Sequence, residues 1–146
     1  MYERTAQTTW STFKPHLEGS FEGVVLILSK TALGTQAQRA LKNSAEKLGF
    51  GERACIFCTL SNAEEVAELS RDELFDIVEG LDPLAIVAAD SESIRALSEA
   101  YRTDIPPLAR TRVFGRSTVA FKRFESMLGD SQDKQRAWAL LKKLVL

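Results

Sequence analysis

Histidine and cysteine are both scarce in this 146-residue chain: there is one histidine, His16, and there are two cysteines, Cys55 and Cys58. His16 stands far upstream in the N-terminal segment and reads as a surface residue. The cysteines fall in the apolar run ACIFC, which has the character of a strand. Side chains three apart on a strand point to opposite faces, which rules out a shared metal ion or a mutual disulfide. Proline and glycine are too few for a disordered linker, and there is no internal repeat or low-complexity stretch. No apolar run approaches the roughly 20 residues that span a bilayer, and the N-terminus, MYERTAQTTW, has no apolar signal core. These absences predict an ordered cytoplasmic protein with no membrane partner.

The length fits one domain, residues 1–146, large enough to bury about two-thirds of its unfolded surface. Apolar residues make up 45% and charged residues 27%, as in an ordinary globular protein. The net charge of −1 conceals two poles. Residues 61–100 hold eleven acidic and two basic side chains, net −9, whereas residues 101–146 hold four acidic and ten basic ones, net +6. Solvated helix faces account for the acidic block. The basic third raises the prospect of a phosphate-bearing partner.

GVVLILS, residues 23–29, is the continuous apolar run of a strand covered on both faces. After KTALGT, Ala37, Ala40, Leu41, Ala45 and Leu48 recur at helical spacing, and Gly49 closes the helix. A second strand over 54–59 makes the pair parallel through a right-handed crossover. Ser61 or Asn62 is expected to cap a short helix running through Ser70, with Glu64 and Glu65 at its positive end. Another helix follows over about 72–81, broken by Asp82-Pro83. LAIVAA, residues 84–89, is a third buried strand. Ser91 is expected to cap a helix striped with Ile94, Leu97 and Tyr101. TDIPPLAR is an extended loop, and 112–114 and 118–121 read as short strands around Gly115. A last helix over 131–145 carries Ala137, Leu140, Leu141 and Leu144 on one face, with Trp138 beside them. Before the first strand, Tyr2, Trp10, Phe13 and Leu17 mark a helix ending near Pro15 to Gly19. The expected fold is α/β, three layers, with a mainly parallel central sheet of about four strands.

Three pieces in this order resemble the uracil-DNA glycosylase superfamily, in particular its small iron-sulfur bacterial branch, over about residues 23–144. They are the first strand with QRALKNSAEKLGFGERACIF after its turn, then RDELFDIVEGLDPLAIVAADSESIRALSEAY, and finally DSQDKQRAWALLKKL. The last is the most specific, because a lysine, a charged pair, Ala-Trp and a leucine pair recur in that family's closing helix. Similar β/α units occur in flavodoxin-like and Rossmann-like domains, so the argument rests on all three together.

The resemblance also implies where chemistry should stand, and the residues depart from it. The family's Gly-acidic-x-Pro-Gly loop is replaced by Ser29, Lys30, Thr31, Ala32, Leu33 and Gly34, which lack the water-positioning acid. Its uracil-reading Asn falls near Cys58 and Thr59, neither of which offers an amide. Its His-Pro pair falls on Arg123 and Phe124, after Lys122. Four cluster thiolates are missing, so no cofactor is implied.

The candidates left are ligand-binding ones. Lys30, Thr31 and Thr35 stand between a strand end and a helix start, with Thr59 at the next strand end. If the family fold holds, Arg116, Lys122 and Arg123 share one sheet edge and offer a phosphate contact. Phe121 and Phe124 read as core, with base stacking as the alternative. The expected function is a non-catalytic glycosylase-like protein that binds nucleic acid, a phosphate-containing ligand or a protein partner. An atypical enzyme acting on a nucleobase or nucleotide, using Arg123 as electrophile and a residue such as Asp90, is the alternative, with a protein-interaction scaffold as the third reading.

Overall fold

Strands that are apolar on both faces must be covered on both faces, and the chain meets this with helices on either side of one sheet. The computed structural model describes residues 2–62 and 65–145. The strands are β1 (Leu17–Gly19), β2 (Val25–Ser29), β3 (Cys55–Thr59), β4 (Ser61–Asn62), β5 (Glu65–Glu68), β6 (Ala85–Ala88), β7 (Arg110–Val113) and β8 (Arg116–Ala120). The helices are α1 (Tyr2–Thr12), α2 (Thr35–Lys47), α3 (Arg71–Leu81), α4 (Ser91–Tyr101), α5 (Phe124–Met127) and α6 (Ser131–Leu141). Turns of 3-10 helix cover Lys14–His16 and Lys142–Val145. No helix among the described residues is long and apolar enough to cross a membrane.

The main sheet has six strands, in the order β1-β3-β2-β6-β8-β7. Its four central strands are parallel, Leu26 facing Ile56 on one side and Ile86 on the other. The expected four strands are therefore extended by antiparallel edges, β1 against β3 and β7 against β8. β1 lies where the helix end was expected. Pro15 stops the helix, and the open edge of β3 offers backbone groups that the following residues can pair with.

Alternation along the strands divides the core in two. Val25, Ile27, Phe57 and Val87 face α2 and α6, whereas Leu26, Leu28, Ile56 and Ile86 face α3, α4 and the Trp10 side of α1. Cys55 and Cys58 follow the same alternation into different halves of the core. Both are free, and burial pushes their thiols up, to about 11 and about 12. Phe121 and Phe124 are core residues, packed edge to face with centroids 5.1 Å apart.

Three local expectations change. The helix predicted over 61–70 is a two-stranded hairpin, Ser61 pairing with Glu68 and Asn62 with Glu65. Leu60 is buried and Leu69 packs on the core, and they stand nine residues apart, on opposite sides of any single helix. Glu64 lies outside the described residues. The N-cap of α4 is Asp90 rather than Ser91, and it forms a capping box with Ser93. Ser70 caps α3 in the same way through Glu73. The closing helix ends at Leu141, and a 3-10 turn brings Leu144 into the core.

Two glycines carry tertiary demands. Gly80 in α3 faces Thr9 of α1 so closely that a Cβ there would collide with the threonine side chain. Gly115 turns the β7–β8 hairpin with φ +81°, beside Phe114 at φ 48°. Two left-handed central residues match the right-handed twist of a hairpin, but a phenylalanine adopts that geometry at a cost. Contacts to Tyr101 and Phe75, at 4.7 and 5.9 Å, help hold Phe114 there although the residue is 66% exposed.

Candidate functional site

Parallel strands place their carbonyl ends and the following loops at one edge, where ligands of α/β proteins usually sit. At the ends of β2 and β3 there is a cleft of about 620 Å³. His16, Ser29, Thr31, Gln38 and Thr59 give it hydrogen-bonding groups, and Leu33 and Phe57 give it apolar surface.

His16 arrives here through the sheet edge. Antiparallel pairing of Leu17 with Cys58 brings the preceding residue beside Thr59. The imidazole is half-buried, and Nδ1 donates to the Thr59 carbonyl at 2.8 Å. Since a carbonyl can only accept, the proton is on Nδ1 and Nε2 remains available. The residue expected at the surface from sequence is thus part of this cleft. It was missed because an edge pairing across 43 positions leaves no local pattern.

The four candidates of this edge do not act together. Successive residues alternate sides at the end of β2, so Ser29 and Thr31 line the cleft while Lys30 turns away. The Ser29 hydroxyl donates to the Thr31 carbonyl at 2.7 Å. The Lys30 ammonium pairs with Glu68 on β5, and its amide N–H donates to Asp90 Oδ2 at 2.8 Å. Thr35 opens α2 and is exposed outside the cleft. The adjoining Gly34 N–H donates to Glu125 Oε2 at 3.0 Å. Two of the protein's own carboxylates, Asp90 and Glu125, therefore occupy the positions an anion would take at the starts of α4 and α2.

Arg116 does not share an edge with Lys122 and Arg123. It begins β8, whereas they follow its end, and the intervening strand separates them along the sheet. Its guanidinium is 10% exposed and grips Glu79 at 2.8 Å and Asp82 at 2.7 Å. It also donates to the Pro83 carbonyl. Burial opposes its charge, but the hydrogen bonds to Asp82 and Glu79 outweigh that and hold it above its ordinary pKa. The same Glu79 accepts from the Tyr101 hydroxyl at 2.6 Å. Burial, followed by that bond, drives the phenol strongly upward. Arg116 is thus engaged by the protein's own carboxylates and a backbone carbonyl.

Lys122 and Arg123 are exposed, and with Arg136 and Lys143 they line a separate groove of about 500 Å³ beside α6. Arg136, on α6, and Lys143, in the 3-10 turn after it, were not singled out from sequence, although their seven-residue spacing within the helix expected over 131–145 is a legible signal.

No protein-family model matches the chain, and no curated protein matches it.

Proposed function

We propose that this chain is a non-catalytic protein of uracil-DNA glycosylase-like build, a binding module that takes a nucleotide-like ligand in the cleft at the ends of β2 and β3. One observation carries the reading. The two carboxylates that reach the loops after β2 and β6, Asp90 and Glu125, are engaged by backbone N–H groups, and the cleft residues from the β2 loop are Ser29 and Thr31 rather than an acid. Such a cleft can recognise donors and acceptors over an apolar surface, as small-molecule sites do, and the β2 loop brings no acid into it to activate water. The order of the three family-like sequence pieces supports the same reading.

Saturation-transfer NMR with uracil, uridine and uridine monophosphate tests it, with the same samples scored for base release from a uracil-containing duplex. Saturation transfer that disappears in His16→Ala, with no release, is the expected result. Base release by the wild-type protein overturns the non-catalytic reading, and absence of transfer from all three compounds overturns the ligand class.

A second reading has one observation in its favour: His16 and Glu18 line the same cleft. An atypical nucleobase or nucleotide enzyme would use this pair to hold or pass a proton to the base. Arg123 and Asp90, the residues weighed from sequence, do not line the cleft.

A further inference from the structure

Most of the cations beside α6 are left without counter-charges. Lys122, Arg123 and Lys143 form no ion pair among the described residues, and Arg136 has only Asp133, at 3.6 Å on an exposed surface. Arg116 shows what this protein does with a cation it uses for structure: the charge is half-buried and given two carboxylates. On the other flank of α6, Lys47 and Lys142 place their ammonium groups 5.9 and 5.8 Å from the centroid of Trp138. Lys134, Lys47 and Trp138 border a second groove there, of about 480 Å³. Trp138 is half-buried, so part of the indole stays accessible.

We propose that the outward surface of α6, together with Lys122 and Arg123, is a track for the phosphate backbone of single-stranded nucleic acid. It is separate from the cleft and does not depend on what the cleft binds. Three features choose this ligand. Arg136 on α6 and Lys143 in the 3-10 turn that continues it are seven residues apart, roughly 10 Å along the chain axis, and cations lie on both flanks of α6. One phosphate cannot reach them all, so the ligand is a chain of phosphates. α6 buries Ala137, Leu140 and Leu141, so the cations are presented along an exposed helix face that a flexible strand can follow. Finally, an accessible indole among lysines provides what single strands use besides charge, a surface on which a base can stack.

The experiment is fluorescence anisotropy of the full chain with a labelled 20-nucleotide single strand over a salt series. Four phosphate contacts predict a log–log salt slope of about −3. Arg136→Glu with Lys143→Glu should weaken binding by about tenfold or more and flatten the slope by about 1.4. Arg53→Glu, an exposed cation that borders neither groove nor the cleft, should leave both unchanged. Unaltered circular dichroism and melting of the charge-reversed protein are expected, because these side chains are on the surface. Salt-insensitive binding, or equal binding by the charge-reversed protein, overturns the track. A duplex bound as tightly as the single strand, or displacement by poly-glutamate at equal charge, overturns the choice of ligand.

Discussion

At the N-terminal ends of β6 and β8, charges are matched group by group: Arg116 holds Glu79 and Asp82, and Glu79 also accepts from Tyr101. At the opposite ends, Lys122 and Arg123 reach into solvent, and His16 and Thr31 border an open cleft. The same sheet thus has one end closed by its own partners and another left with unmet hydrogen-bonding and charge capacity. A buried charge without partners costs several kcal/mol, so a closed network belongs to stability. Unpaired exposed charges add little to folding and remain available to a ligand.

Alkali should have the largest effect, and Tyr101 places part of it at the closed end. Tyr101, Cys55 and Cys58 all have pKa values raised by burial. Below the unfolded values, 9.0 for the thiols and 10.0 for the phenol, folded and unfolded states are equally protonated and stability is intact. Above them the unfolded chain ionises first, so stability falls from about pH 9 upward. Urea unfolding between pH 8 and 11 should show this fall, less steep in Tyr101→Phe; an unchanged slope in that variant would remove the tyrosine from the account.

Arg116→Ala leaves two partly solvated carboxylates unpaired and should cost about 1–3 kcal/mol in urea unfolding while leaving oligonucleotide anisotropy unchanged. At the same end, Gly80→Ala should destabilise by about 1–3 kcal/mol through overpacking against Thr9, although alanine is the better helix former. Thr9→Ala in the same chain should recover part of that loss. Asp90→Ala removes the N-cap of α4 and the acceptor for the Lys30 amide, for about 1–2 kcal/mol. The smallest effect belongs to the open end. Lys122→Ala with Arg123→Ala should shift stability by no more than about 0.5 kcal/mol, and a larger loss would place these cations in the structural class.

Much of the fold was legible because the runs at 23–29, 54–59 and 84–89 are apolar on both faces, and such strands belong in the middle of a parallel sheet. The hairpin after β3 was not, since caps and acids at its start imitate a helix whose apolar stripe never follows. Of the candidate site, Thr31 and Thr59 were found at strand ends, which topology alone marks as ligand edges. His16 was assigned to the surface because nothing within several residues of it indicates a neighbour 43 positions away.

By itself, then, the sequence determined what depends on neighbours: which runs become strands, the opposite facing of Cys55 and Cys58, and the basic character of the last third. Each follows from periodicity or composition over a few residues. Tertiary structure alone decided which charges are neutralised. Lys30 and Arg116 acquire carboxylates from other elements, Asp90 and Glu125 occupy helix starts, and Lys122 and Arg123 acquire none among the described residues. The physical reason is range: pairing a charge takes contact within a few ångströms, and those contacts are made between residues tens of positions apart in the chain.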